Sequence, residues 1–226
     1  MDKSSWFEAK RGTISGSKAA RLVGRDSTLE RLASDLVDEL NGKRINLSGI
    51  EYGDLGNELE ERIINNYLID KMMDPKFAQI ERTDYELVFH PDYFYICCSP
   101  DATFTVPNMV VPHANHLYDS PIKYNFGIDS KCLFDTEKSG DKSWQSVQKK
   151  PKNPHVYQMQ FCMWVMQHLH FIEWYIIYAH ITQEVLDGVQ LPETIEYCIK
   201  PDYDLWDQFE QRSKQCWEMV NELRTQ

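Results

Sequence analysis

Several common signatures are missing from this sequence of 226 residues. Its six cysteines form no C-x-x-C pair, which argues against a zinc ribbon, a redox motif or an iron–sulfur site. We therefore expect buried free thiols and a reducing compartment. There is no run of about 18 apolar residues, and the first ten residues are polar. Neither a membrane span nor a signal peptide is predicted.

Signatures of several hydrolase classes are also missing. The sequence has no Walker-type glycine loop, no G-x-S-x-G elbow and no H-E-x-x-H, so ATP hydrolysis, serine hydrolysis and zinc proteolysis have no support. A polar loop is predicted over 107–124, and it contains His113 and His116. Without further ligands this pair is more typical of an exposed turn than of a metal site.

Positive charge is scarce, with 24 Lys and Arg against 35 Asp and Glu and a formal net charge of −11. The total argues against a polyanionic partner. The distribution changes that interpretation, because residues from 182 onward hold ten acids and four bases, which is six of the eleven negative charges. The bases cluster at 10–31 and 138–152. The total charge is therefore a poorer guide to the partner than the distribution of charge along the chain.

The apolar content of 42% over this length predicts one domain, residues 1–226, with a substantial core. Hydrophobic periodicity predicts helices over 17–22, 27–40, 55–73, 154–165 and 203–223. It predicts strands over 85–90, 93–98, 102–106, 125–134, 171–181 and 194–200. The lysines at 138, 142, 149, 150 and 152 indicate a basic, mobile segment. The pattern is that of an α/β protein.

Two charged segments each allow a functional and a structural interpretation. Basic residues surround the stretch Gly12–Ser17, which opens a helix and could bind an anion. The same stretch could be a serine cap beside a solvated basic face. Glu58, Glu60 and Glu61 lie in the first turns of the 55–73 helix, where acids also suit the helix dipole.

The most informative group of residues is Ser99-Pro100-Asp101, followed after a hairpin by Asp129-Ser130-Lys131 within a strand. The two carboxylates and the Ser130 carbonyl are hard oxygen ligands suited to Mg²⁺ or Mn²⁺. Lys131 lies two residues after Asp129 and so projects to the same face of the strand. This combination suits metal-dependent phosphodiester hydrolysis. A Pro-Asp turn and a buried Asp–Lys pair would explain the same residues without catalysis.

Four motifs carry a resemblance to a known family. They are Gly56-x-x-x-Glu60, Cys98-Ser99-Pro100-Asp101, Asp129-x-Lys131-Cys132 and the helix Tyr157-Gln158-Met159-Gln160-Phe161-Cys162-Met163-Trp164-Val165. In this order they resemble the lambda-type phage exonucleases of the PD-(D/E)xK nuclease superfamily. The resemblance implies a restriction-endonuclease-like α/β core, with a central mixed β-sheet flanked by helices.

The resemblance also implies roles for particular residues. Asp101 and Asp129 would be the principal ligands of Mg²⁺, with Mn²⁺ as a substitute and two ions in each active site. Glu60 and Ser130 would complete the metal site, Lys131 would assist the attacking water, and Gln158 would hold the geometry.

A pocket for a terminal 5′-phosphate would comprise Lys10, Ser17 and Ser99. Arg11 is an alternative to Lys10, because Lys is a point charge without the fork of Arg. Tyr52 and Leu55 are candidates for the wedge that separates the strands.

The implied activity is 5′→3′ digestion of one strand of linear double-stranded DNA from a 5′-phosphorylated end. The implied assembly is a ring-shaped homotrimer that threads the duplex and passes its 3′ single-stranded product to a phage single-strand annealing protein. The implied location is the cytoplasm of a bacterial host, with the gene in a phage or prophage. A non-catalytic or endonucleolytic member of the same fold, or a hydrolase acting on RNA, remains an alternative.

Overall fold

A computed structural model describes residues 3–43, 53–72, 81–83, 87–109, 122–135 and 142–225. Tyr52, His113, His116 and Lys138 lie outside the described residues, and only the backbone of Leu55 is described. No helix within these ranges is both long and apolar enough to cross a membrane.

The α-helices of the described chain are α1 (Lys3–Lys10), α2 (Ala19–Leu22), α3 (Asp26–Leu40), α4 (Gly53–Met72), α5 (Lys142–Val147), α6 (Asn153–Val165), α7 (Gln183–Leu186) and α8 (Tyr203–Thr225). The strands are β1 (Ile14–Ser15), β2 (Glu81–Thr83), β3 (Val88–Phe89), β4 (Ile96–Cys98), β5 (Ala102–Met109), β6 (Ile122–Phe134), β7 (Phe171–Ile181) and β8 (Glu193–Ile199). Short 3₁₀ helices at Gly16–Lys18 and Gln167–Leu169 precede α2 and β7.

The strands form two mixed sheets. The larger has the order β2-β5-β6-β7-β8, in which β6 and β7 are parallel and the other neighbours are antiparallel. The smaller has the order β1-β4-β3, with β1 parallel to β4. This arrangement, flanked by helices, confirms the predicted α/β class with a central mixed sheet.

The two faces of β6 contribute to two separate hydrophobic cores. Alternate residues of a strand point to opposite faces, and Phe126 and Ile128 pack in one core with Leu59 and Ile63 of α4. The other core lies beneath α3, α6 and α8 and includes Trp174 of β7. The face of β6 that carries Asp129 and Lys131 is the one toward α6, since Asp129 contacts both Trp174 and Gln158.

Helix α6 is fixed by the side chain of Gln160, which is 3% exposed. Its amide donates to the Lys200 carbonyl oxygen over 2.6 Å. Its oxygen accepts the Asp202 backbone N–H and the Trp206 indole N–H, each over 3.0 Å. These bonds join α6 to the β8–α8 connection and to α8 itself.

Several predicted boundaries were wrong. Within the described residues 87–98, the strands predicted over 85–90 and 93–98 are reduced to β3 and β4. The predicted loop 107–124 is partly strand, because Met109 pairs with Ile122 and extends the β5–β6 ladder. Helix α1 was not predicted at all, since its sequence shows no apolar stripe.

The basic segment was wrongly predicted to be mobile where it is described. Residues 142–147 form α5, in which Trp144 and Val147 are buried in the core. The Trp144 ring stacks on His180 with centroids 5.0 Å apart. Two core residues three apart are enough to anchor one short helix between surface lysines.

The prediction of buried free thiols holds for Cys97, Cys98, Cys162 and Cys216. Cys132 is half-buried and Cys198 is exposed, and all six cysteines are free.

Candidate active site

Asp101 is placed by the point at which β5 and β6 stop pairing. The ladder ends at the pair Ala102 and Ile128, so Asp101 lies one residue beyond it. Its Oδ2 accepts the backbone N–H of Ser130 over 3.0 Å. In a longer ladder a backbone carbonyl would accept the Ser130 N–H, and here the Asp101 carboxylate takes its place. This bond fixes Asp101 beside the middle of β6.

Asp129 is completely buried and lies in the centre of the site. Its Oδ2 accepts the Lys131 ammonium over 3.0 Å and the Gln158 amide over 3.3 Å. Its Oδ1 accepts the indole N–H of Trp174 over 3.2 Å. A buried carboxylate is costly unless its oxygens have donors, and here both oxygens do.

Lys131 bridges the two aspartates. Its Nζ lies 3.0 Å from Asp129 Oδ2 and 3.8 Å from Asp101 Oδ2. Burial lowers the pKa of this ammonium, but the carboxylates of Asp101, Asp129 and Glu60 outweigh burial and raise the pKa above its ordinary value. Lys131 therefore stays charged at the site.

Glu60 approaches the same charges from α4, on the far side of β6. Burial raises its pKa, the Lys131 ammonium opposes this shift, and the Asp129 carboxylate adds to it. The pKa of Asp101 rises to about 8 because of burial and the Asp129 carboxylate, with a smaller contribution from Glu60. The structure thus brings Glu60 into electrostatic contact with the predicted metal ligands.

Three carboxylates share one ammonium at this site, so negative charge is in excess. This donor set fits a hard divalent cation, because it offers carboxylate oxygens whose mutual repulsion a cation would relieve. Within the described ranges, no three Asp, Glu, His or Cys side chains already surround a common point suited to a metal. The Lys131 ammonium lies between the two aspartates instead.

The N-terminal segment adjoins the site through α6. A methyl group at Gly16 would lie 3.3 Å from Gln158 Cγ and 3.5 Å from Cys162 Sγ. The close approach places Gly16, the residue before Ser17, against the side chain of Gln158, whose amide contacts Asp129. The hydroxyls of Ser15 and Ser17 lie 3.2 Å apart. Ser15 belongs to the predicted anion-binding stretch Gly12–Ser17 but was not among the residues predicted for the 5′-phosphate pocket.

Lys10 and Arg11 point to different surroundings. The Lys10 ammonium lies 4.2 Å from the ring centroid of Trp6. Its pKa is lowered by burial, which outweighs the opposing effect of neighbouring thiols, the largest being that of Cys97. Arg11 instead pairs with Glu8 at the exposed surface. This geometry favours Lys10 over Arg11 as the cation on the side of the site.

Part of the basic N-terminal segment is neutralised within the fold. The Lys18 ammonium contacts both oxygens of Glu39, over 2.8 Å and 2.9 Å. Arg21 pairs with Asp35 over 2.8 Å. The positive charge counted from sequence over residues 10–31 therefore overstates what the surface offers to a polyanion.

Two further groups at the site were not predicted from the sequence, and they are the Tyr178–His155 pair and Trp174. Tyr178 is the neighbour of Lys131 across the β6–β7 pairing, and its hydroxyl lies 2.8 Å from His155 Nδ1. Burial, together with Lys131 and Lys152, lowers the pKa of His155 to about 4, so its ring is neutral. Trp174 was the second omission. Gly127 in the interior of a strand was an available signal, since such a glycine often marks a close approach.

Comparison with known proteins agrees with this fold. A family model described as the YqaJ-like viral recombinase domain matches residues 5–168, and the chain belongs to that family. No curated protein matches the chain in sequence. The family assignment confirms the predicted relationship to phage recombination nucleases.

Solved structures show the same fold at low sequence identity. An alkaline exonuclease from Laribacter hongkongensis, LHK-Exo, superposes with a TM-score of 0.65 and 18% identity, covering 99% of this chain and 95% of that one. Its complex with dAMP gives a TM-score of 0.66 at the same identity and coverage. A phage-related exonuclease from Haemophilus somnus 129PT gives 0.63 and 16% identity, covering 94% and 95%.

Proposed function

We propose that this protein is a metal-dependent exodeoxyribonuclease that digests one strand of linear duplex DNA in the 5′→3′ direction. It starts at a 5′-phosphorylated end and leaves a 3′ single strand for annealing. The observation that carries the proposal is the cluster of Asp101, Asp129 and Lys131, with Gln158 and Glu60 beside it, in a member of a viral recombinase family.

The carboxylates of Asp101, Asp129 and Glu60 and the carbonyl of Ser130 would hold Mg²⁺, two ions in each site. Divalent cations in such sites activate water and offset charge on a phosphate. Lys131 supplies a fixed positive charge where negative charge develops on the phosphate. Gln158 holds Asp129 by its amide and so preserves the orientation of the cluster.

The preference for a terminal phosphate rests on the segment that meets α6. Lys10 is the cation on the side of the site, and Ser17 and Ser99 supply hydroxyl donors for the 5′-phosphate. A charge buried beside the site binds a dianion more strongly than a fully solvated charge does.

The assembly, partner and location follow from the resemblance to the lambda-type exonucleases. The protein would form a homotrimeric ring around DNA and pass its product to a phage single-strand annealing protein in the bacterial cytoplasm. The concentration of negative charge after residue 182 is compatible with DNA contact at other surfaces.

The test uses linear duplexes labelled at the 5′ or 3′ end of one strand, with and without a 5′-phosphate, in the presence of Mg²⁺. We expect early release of the 5′ label, faster digestion of phosphorylated ends and no action on closed circles. Chelation should abolish the reaction. The same assay compares two lysine variants. Lys131→Ala removes the ammonium of the proposed site, and Lys43→Ala is its control because Lys43 pairs with Asp38 at the surface.

The other outcomes identify the alternatives. Cutting of closed circles would indicate an endonuclease, and faster digestion of structured RNA than of DNA would indicate an RNA hydrolase. Metal binding without hydrolysis of any of these substrates would indicate a non-catalytic member of the fold.

A further inference from the structure

We infer that Trp174 is a positioning residue for Asp129, and that Gly127 makes this contact possible. The inference deepens the proposed function and rests on it. It starts from the completely buried pair in which the Trp174 indole N–H donates to Asp129 Oδ1 over 3.2 Å.

This hydrogen bond fixes the plane of the Asp129 carboxylate relative to the other groups of the site. The terminal torsion of an aspartate has broad, two-fold preferences, so the backbone alone leaves the carboxylate plane poorly fixed. With Oδ1 held by Trp174, Oδ2 is directed to Lys131 and Gln158. The indole therefore sets the orientation of the carboxylate without reaching the reacting atoms.

Gly127 gives the indole its place. Gly127 and Trp174 are direct neighbours across the parallel pairing of β6 and β7. A Cβ at position 127 would overlap three carbons of the Trp174 ring system. Those atoms are the rigid part of the side chain, so any larger residue would push the indole away from Asp129. Gly127 and Trp174 therefore act together to orient Asp129.

Partners that orient metal ligands typically contribute about 10–100-fold to metal affinity or activity. Trp174→Phe keeps the aromatic ring and removes only the N–H donor. We expect Mn²⁺ affinity, measured by electron paramagnetic resonance of free Mn²⁺ without DNA, to fall at least tenfold. We expect kcat to fall by a similar factor while KM for DNA ends stays within about twofold.

The chain offers a matched control at Trp206, which is buried and donates its indole N–H to Gln160 Oε1 over 3.0 Å. Trp206→Phe therefore also removes one indole hydrogen bond from the interior. It should lower thermal stability by a similar amount and leave Mn²⁺ affinity and kcat unchanged. A merely structural role for Trp174 predicts that the two variants behave alike.

Gly127→Ala provides a second test, because it keeps every polar group of the site and displaces only the indole. It should reproduce the loss of Mn²⁺ affinity. In case neither variant folds, the indole N–H resonances of the unmodified protein can be followed during Ca²⁺ titration. The Trp174 signal, assigned by elimination with the other five Trp→Phe variants, should shift the most.

The outcomes separate this inference from the proposed function. If the unmodified protein neither binds Mn²⁺ nor digests DNA, the proposed function fails and the inference fails with it. If the unmodified protein does both, and Trp174→Phe binds Mn²⁺ within twofold of it at unchanged kcat, the inference alone is overturned. A Trp174 signal that is unmoved by Ca²⁺ would also overturn it.

Discussion

Two lysine–carboxylate clusters lie within the N-terminal three fifths of the chain, and they differ in their balance of charge. Lys18 faces one carboxylate, Glu39, and donates to both of its oxygens and to the Thr13 carbonyl oxygen. The Gly12 N–H, from a residue with φ of +68°, also donates to Glu39. Every strong donor of the ammonium has an acceptor, and the charges cancel.

The cluster at Lys131 has one ammonium against Asp101, Asp129 and Glu60. The comparison teaches that burial and pairing alone do not identify a catalytic lysine. In the balanced cluster, which comprises Lys18 and Glu39, each charge has an opposite charge as its partner. This cluster joins the N-terminal segment to α3. The unbalanced cluster, which comprises Lys131, Asp101, Asp129 and Glu60, has more negative than positive charge. A divalent cation would neutralise this excess, as the proposed hydrolysis of a phosphodiester requires.

The largest expected effect comes from removing the lysine of the unbalanced cluster. Lys131→Ala should lower kcat about a thousandfold, because removal of one preorganised charge-stabilising group costs about 10²–10³ in rate. Release of end label from linear duplex measures this. Circular dichroism in Mg²⁺ checks that the variant is folded, and a folded variant with full activity would contradict the assigned role.

Breaking the balanced cluster should affect stability instead. Glu39→Leu leaves the partly buried Lys18 ammonium without a carboxylate and the Gly12 N–H without its acceptor, and should lower the free energy of unfolding by about 3 kcal/mol. Urea denaturation measures this loss, and kcat of the folded protein should be unchanged. The double variant Lys18→Met with Glu39→Leu should recover most of the stability. A loss of kcat in folded Glu39→Leu would erase the distinction between the clusters.

A divalent metal bound at the unbalanced cluster should stabilise the folded protein. Mn²⁺ at about 100 times its dissociation constant should raise the free energy of unfolding by about 2.7 kcal/mol. Thermal unfolding with and without chelator measures this, and Asp101→Asn should lose the gain whereas Glu39→Leu keeps it. An equal gain in Asp101→Asn would place the metal elsewhere.

The smallest effect is expected at the surface pair of Arg21 and Asp35. Their atoms lie 2.8 Å apart, as close as in the buried pair, but the Asp35 side chain is 57% exposed. Asp35→Ala should change the free energy of unfolding by at most about 1 kcal/mol. A cost near that of Glu39→Leu, measured by the same urea denaturation, would show that burial is not what separates these pairs.

Much of the site could be predicted because its residues are close in sequence or share a strand face. Asp129 and Lys131 lie on one face of a strand that also contains several apolar residues, and the Pro100-Asp101 turn precedes the strand that pairs with it. The register of this pair of strands brings Asp101 next to Asp129 and Lys131. The helix with Gln158 is strongly apolar, and its burial could be expected from that pattern.

What could not be predicted depends on partners that are distant in the chain. The Lys18–Glu39 pair joins residues 21 apart, and the Trp174–Asp129 bond joins residues 45 apart. No local periodicity encodes either contact. The burial of α5 was missed for a similar reason, because Trp144 stacks on His180, which lies far along the chain on β7.

The bond from the Ser130 N–H to Asp101 ties the charge cluster to the register of β5 and β6. Asp101 takes the next acceptor position after the last β5–β6 rung, so its carboxylate reaches Asp129 only once these two strands have paired in the correct register. A slip of one residue would turn Asp129 toward α4 and separate the two carboxylates. The charge cluster therefore forms only in a chain whose β5 and β6 have paired in the correct register, so the same bond that shapes the site also reports that the sheet is correctly assembled.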